Sequence, residues 1–172
     1  MSNSDLILEY ISKNPGCHLR KIRENLKISM GSLQYHLFRL EKRDKIGSLK
    51  HGIYKSYFPA GVFQEQEMNI MRILNQSTTR EILFFIIDQK NPTQTQITQK
   101  LKIRSPSIHW HLRRLLNLNI IHEVRDGRFK RYSIDTNSIG HTQIMILIKK
   151  YYNTIWQDWS EGLADMLTLY ED

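Results

Sequence analysis

The sequence predicts an α+β chain, mainly α with small β-hairpins, made of two tandem copies of one three-helix-and-hairpin unit followed by a C-terminal helical tail. Three observations carry that prediction: an internal repeat at constant offset, the same succession of cap, turn and hairpin signals in both copies, and a long proline-free amphipathic stretch at the end. Shifting the 172-residue chain by 75 positions lays residues 6–57 onto 81–132 without a gap, and 16 of those 52 positions are identical. Unrelated stretches of this composition would share only a few, so the match reads as a duplicated domain; two copies are too few for a solenoid. The identities fall on apolar periodic positions (Ile22/Ile97, Leu37/Leu112, Leu40/Leu115), a histidine (His36/His111), an arginine (Arg39/Arg114) and a turn glycine (Gly52/Gly127), and Tyr35/Trp110 is a conservative pair.

The elements are clearest in the second copy. Thr78 followed by Glu81 has capping-box spacing and opens a helix with apolar Ile82, Leu83, Phe85 and Ile86, which Asn91-Pro92 closes. Thr93 with Gln96 repeats the box for a short second helix through Leu101. Lys102-Ile103-Arg104 is the turn, and Ser105 with Pro106 suits the N-cap and first position of a third helix to about Asn117. Two short helices joined by a three-residue turn have the helix-turn-helix signature. Alternating strands then flank a two-residue turn at Asp126-Gly127, expected as type I′, and the first copy has His51-Gly52 in the same place. Such a hairpin after a helix-turn-helix is a wing. The predicted organisation is residues 1–61, first winged-helix domain; 62–76, connecting helix; 77–135, second winged-helix domain; and 136–172, C-terminal helix.

Units of this size lie near the lower limit for independent folding. The 25 Lys+Arg against 17 Asp+Glu give a net charge of +8, which favours an anionic polymer or membrane surface as partner. The charge is unevenly distributed: residues 1–61 carry +6, 62–80 are neutral, 81–135 carry +5 and 136–172 carry −3. Both basic lobes therefore coincide with the repeated units. Cys17 is the single cysteine, so neither a disulfide framework nor a thiolate zinc site can form within the chain. The N-terminus has no basic start or small-residue cleavage site and no apolar run reaches membrane-spanning length, so the expected location is cytoplasmic, without membrane contact.

These residues resemble winged-helix transcription regulators of the broad ArsR and MarR type, above all archaeal ones. The resemblance rests on "SLQYHLFRLEKRDKI" at 32–46, its counterpart "SIHWHLRRLLNLNII" at 107–121, and "STTREIL" at 77–83, and it covers residues 6–61 and 77–135. It implies DNA-binding transcription regulation through the third helix of each copy. The cysteine pair of ArsR-type metal sensors is missing, so metal sensing does not carry over and no cofactor is expected.

On the first third helix, Leu33, Leu37 and Leu40 define the buried stripe at roughly 100° per residue. Away from it lie Ser29, Ser32, Gln34, Tyr35 and Arg39; the second copy offers Arg104, Ser105, Ser107, His109, Trp110, Arg113 and Arg114. Small, polar and cationic side chains on such a face can enter the major groove, where Arg reads guanine and Gln reads adenine. The competing reading is a solvated polar face, yet an aromatic opposite the core stripe in both copies calls for a partner. The wings add Lys50, His51 and Lys55, then Arg125, Arg128, Lys130 and Arg131, suited to phosphates or the minor groove, or else to guarding strand edges.

His36 and His111 flank the core stripe and read as partly buried structural histidines, with a phosphate contact as the alternative. His109 and His111 point to different sides and make a poor metal pair, and no phosphate loop, nucleophile elbow or acid/base cluster suggests an enzyme. In the tail, Ile144, Ile148, Tyr151, Ile155, Trp159, Leu163 and Met166 recur at three- and four-residue steps, which predicts either pairing of two chains as a homodimer or packing on the chain's own lobes. The function expected is a sequence-specific regulator, repressor or activator, of double-stranded DNA. The alternative is a tandem winged-helix protein-interaction scaffold in chromosome organisation or the transcription machinery. Nothing in the residues identifies an effector.

Overall fold

The computed structural model describes residues 1–135 and 139–155, which fall into two compact units, Met1–Asn75 and Gln76–Lys150, the described residues from 151 onward grouping with the first. In the first unit, α1 (Asn3–Lys13) starts on a capping box: Ser2 Oγ accepts from Asp5 N at 3.2 Å and Asp5 accepts from Ser2 N at 3.0 Å. The helix buries Ile7 and Ile11. Next, α2 (Leu19–Leu26) ends at Lys27, whose left-handed φ of 54° makes the tight turn into α3 (Met30–Lys42). Leu33, Leu37 and Leu40 of α3 meet Ile7, Ile11, Ile22, Ile46 and Tyr57 in one core, as the period predicts. Each such aliphatic side chain contributes roughly 1.5–3 kcal/mol on burial.

Strands β2 (Ile46–His51) and β3 (Tyr54–Pro59) form the first hairpin. A two-residue strand, β1 (Cys17–His18), adds to β3, giving the order β1-β3-β2. The stretch expected as a separate connector is packed into this unit: α4 (Glu65–Leu74) buries Ile70, Met71, Ile73 and Leu74, and the Phe63 ring lies 5.8 Å from that of Phe58. Asn75 Nδ2, just past α4, donates to the carbonyls of Pro15 at 2.9 Å and Met71 at 3.0 Å. Gly16 sits at φ +83°, and a Cβ there would fall 2.6 Å from Asn75 Nδ2, so the position needs glycine for both angle and space.

The second unit repeats the plan with α5 (Ser77–Gln89), α6 (Gln94–Leu101), α7 (Ser105–Asn117), β4 (Ile121–Asp126) and β5 (Phe129–Ile134). The Thr93/Gln96 capping box forms, but the expected Thr78/Glu81 box does not, because α5 begins earlier with Gln76 at its N-cap. Ser105 is likewise a helical residue and not the cap. Arg104 holds the N-cap position of α7, and Ser105 Oγ accepts from Gln94 Nε2 at 2.8 Å. The third strand of the first unit shrinks here to a single bridge, Thr93 to Arg131. Pro92 stands where the first copy has Cys17, and it can accept from Tyr132 N at 2.9 Å but has no N–H to donate.

Both wing turns lie one residue later than expected. His51 pairs with Tyr54 and Asp126 with Phe129, which leaves Gly52-Ile53 and Gly127-Arg128 as the central residues. Within each pair only the glycine has positive φ, 61° and 59°, the pattern of a II′ turn and not of I′. Finally α8 (Ile139–Ile155) covers the described part of the tail. Ile144, Ile148 and Tyr151 are buried in the single chain, where an open pairing stripe would leave them exposed. The Ile155 side chain, Trp159, Leu163 and Met166 lie outside the described residues. Among the described residues, no helix is long and apolar enough to cross a membrane.

Candidate nucleic-acid interface

The outer face of α3 is built by exclusion, since three leucines turn inward and fix what turns out. Ser29 caps the helix, accepting from Ser32 N at 3.4 Å; Ser32 is half-buried, and Gln34, Tyr35 and Arg39 are exposed. Tyr35 is 55% exposed although aromatic, and Arg39 Nη1 donates to its hydroxyl at 2.9 Å. Beside them is a residue that the sequence reading passed over. Phe38 is 56% exposed with Lys42 Nζ 5.0 Å from its ring centre. Its helical angle places it outward, but an apolar residue is easily assigned to the core.

On α7, Ile108, Leu112 and Leu115 take the inward places. Arg104, Ser105, Ser107, His109, Trp110 and Arg113 are exposed, Trp110 by 52%. Arg114 differs from its counterpart Arg39. It is half-buried, its Cζ lies 4.4 Å from the Trp110 ring centre, and Nη1 donates to Gln76 Oε1.

The two structural histidines share one device. His36 Nδ1 lies 2.8 Å from Ser4 Oγ and His111 Nδ1 lies 2.8 Å from Thr79 Oγ1, so the 75-residue offset extends to a hydroxyl on the first helix of each unit. Each pair pins the third helix of its unit to the helix that opens that unit. Burial, with the Arg114 charge second, holds the His111 imidazole below the usual histidine range. Burial likewise pushes the Cys17 thiol up to about 12, which leaves it a packed, unreactive thiol.

The wings divide by exposure. Lys50, His51, Arg125 and Arg128 are exposed along the hairpins, with Arg128 stacked 5.1 Å from Phe129. Lys55 is half-buried and paired to Glu41 at 2.8 Å, so it joins the hairpin to α3 instead of standing at the tip. Lys130 pairs with Glu123 at 3.0 Å, and half-buried Arg131 pairs with Asp126 at 2.7 Å and donates to Asn91 O at 3.1 Å. The first wing instead exposes Ile53 by 89% and Tyr54 by 70%. In the second unit a cleft of about 400 Å³ opens beside α6 and the wing, lined by Thr95, Gln99, Ser105, Arg128 and Lys130 among others. Hydroxyls, amides and cations beside a helix start suit a phosphodiester. No group of three or more His, Cys, Asp or Glu among the described residues could hold a metal ion.

Both halves of the chain match known helix-turn-helix families. Residues 2–71 match a family described as an N-terminal HTH domain, and residues 75–122 match the winged helix-turn-helix DNA-binding family. An uncharacterized HTH-type transcriptional regulator of Methanocaldococcus jannaschii is 31% identical over 130 residues, which is 75% of this chain. The chain spans about a third of that relative, 32% of its length. Among solved structures, an ArsR family transcriptional regulator matches 57% of this chain and 97% of its own at TM-score 0.42 and 18% identity. MepR, a transcription regulator of a Staphylococcus aureus multidrug efflux pump, matches 78% of this chain and 90% of its own at TM-score 0.39 and 15% identity. With a capped three-helix core and a hairpin in each half, the chain carries two helix-turn-helix domains in tandem, the second matching the winged helix-turn-helix DNA-binding family.

Proposed function

We propose that this chain is a sequence-specific binder of double-stranded DNA that regulates transcription by occupying promoter sites. Helices α3 and α7 enter the major groove while the exposed wing cations contact phosphates or the adjacent minor groove. One observation carries the reading. In both units, an aromatic residue and an arginine four positions later stand outside the buried stripe of the same helix, with Tyr35 and Trp110 more than half exposed. Exposed aromatics held by cations are costly to leave in water and well suited to a groove. The two basic lobes give the electrostatic attraction that duplex DNA requires.

The test is binding to random duplex DNA across a salt series, followed by selection of preferred sequences. Neutralising several phosphates makes log K fall with log salt at a slope of about −0.9 per phosphate. A flat salt response with no enriched sequence would refute the proposal. The exposed Phe38, Ile53 and Tyr54 support a second reading for the first unit alone, docking of a protein partner, which would be insensitive to salt. Pairing of two chains through α8 belongs to the same proposal. Because Ile144, Ile148 and Tyr151 are buried, it would use the exposed side of the helix around Ile146.

A further inference from the structure

We infer that Arg114 is a positioning residue and not a base reader, so that the two reading helices are not interchangeable. Arginine readout falls to Arg39 in the first unit and to Arg113, with Arg104 at the helix start, in the second. The inference rests on the DNA reading above and deepens it.

The equivalence of the two arginines ends at their surroundings. Arg39 is exposed, and its described contact is the Tyr35 side chain one turn back on the same helix. Arg114 reaches across the fold to Gln76, 38 residues earlier, at the N-cap of α5. The position matching Gln76 in the first copy is Met1, which has no amide to offer. The amide that ties Arg114 in thus has no counterpart at the matching position of the first unit.

The neighbours of Gln76 make a connected set. Thr79 Oγ1 donates to Gln76 Oε1 at 3.3 Å and lies 2.8 Å from His111 Nδ1. These three bonds are mutually consistent if His111 Nδ1–H donates to Thr79, Thr79 donates to Gln76, and Arg114 Nη1 donates to the other lone pair of the same amide oxygen. Trp110 packs its ring 4.8 Å from His111, edge to face, and takes the Arg114 guanidinium on its face. The indole is therefore held on two sides while remaining half exposed. A guanidinium that reads guanine must present one edge with two N–H groups. With Nη1 donating to Gln76 and Nη2 buried, Arg114 would have to leave Gln76 to do so. The arginines without such a tie stand where the first copy has other chemistry: Arg113 matches Phe38 and Arg104 matches Ser29. Both are exposed.

The test uses the full chain and duplexes selected from a random pool, with unfolding curves as the check on folding. Trp110 emission is read in a background carrying Trp156→Phe and Trp159→Phe. Arg39→Ala and Arg113→Ala should each erase a guanine preference at one position, about tenfold or more against other bases. Arg114→Ala and Gln76→Leu should both alter Trp110 emission and weaken binding while leaving the pattern of preferred bases in place, and Gln76→Glu, which keeps an acceptor for Arg114, should restore both readings. If Arg114→Ala erases one base preference while Gln76→Leu leaves selection and emission unchanged, the assignment is overturned. If the unaltered chain binds no duplex, yet Trp110 emission still responds to Gln76→Leu, the DNA reading fails and the readers assigned here fail with it, while the tie itself stands.

Discussion

Replacing Thr79 with Val is the sharpest probe of how α7 is held. Valine keeps the shape of threonine and removes only the hydroxyl, so packing is preserved while His111 Nδ1 loses its 2.8 Å partner. Thr79 is fully buried and His111 is 9% exposed, so water cannot readily replace the lost bond. Leaving a buried polar group unsatisfied costs about 1–3 kcal/mol. Ser4→Ala is the matched control, because it removes the equivalent 2.8 Å bond to His36. Ser4 and His36 are only half-buried and water can substitute, so the expected cost is below about 1 kcal/mol. A unit the size of Gln76–Lys150 loses roughly 4–8 °C per kcal/mol, so calorimetry should see the second unit melt on the order of 5–20 °C earlier. The double variant Thr79→Val/His111→Phe should recover part of the loss, since both polar partners are then gone. A neutral Thr79→Val, or a Ser4→Ala that costs more, would refute the claim that this hydroxyl anchors α7.

Three further expectations follow from the same contacts. Gly16→Ala meets both a positive φ of 83° and the Asn75 amide at 2.6 Å, and should cost about 1–3 kcal/mol by urea unfolding; adding Asn75→Ala should recover only the steric part, and a neutral Gly16→Ala would refute the close approach. His111 and His18 are both held below the usual histidine range, mainly by burial. The unfolded chain therefore takes up protons near pH 6.5 while the folded chain resists, so stability is full above that pH and falls as pH drops towards the folded values; a urea midpoint unchanged from about pH 8 to about pH 5.5 would contradict it. If two chains pair through α8, Ile146→Glu, at a residue 58% exposed, should reduce the light-scattering mass to that of one 20.5 kDa chain. Truncating the tail is a poorer test, because it would also remove the buried Ile144 and Ile148.

Periodicity made the core legible, because Leu33, Leu37, Leu40 and their counterparts Ile108, Leu112 and Leu115 obey helical spacing and packing leaves them little freedom. The outward faces of α3 and α7 followed from the same spacing. Features that depend on one hydrogen bond across the fold were not legible. Asp126-Gly127 is a good I′ dipeptide, yet strand pairing shifted the turn by one residue, and local sequence does not fix cross-strand register. Strand β1 has only two residues, too few for any alternation to register. The Arg114–Gln76 link lies outside the span in which residues match by identity, and the Ser4/Thr79 equivalence is hidden because the two residues share a hydroxyl and not a name.

The duplication has kept the backbone and let the periphery diverge. Left-handed residues recur in register, Lys27 and Lys102 both at φ 54°, Asp44 and Asn119 at 51° and 55°, even though none is glycine. A non-glycine residue in that region costs on the order of 1 kcal/mol, so its repetition marks turns that both units require to close their cores. At the surface the matched positions differ in kind: Ser29 against Arg104, Phe38 against Arg113, Ile53 against Arg128. Each exchange gives the second unit a cation where the first has a neutral residue, while α3 of the first keeps its own outward arginine at Arg39. On the DNA reading, a single chain would then favour an asymmetric site, one half met by hydroxyl, aromatic and apolar contacts and the other by several arginines. Selected sequences with two identical half-sites per chain would count against that asymmetry, and with it against the divergence having any role in recognition.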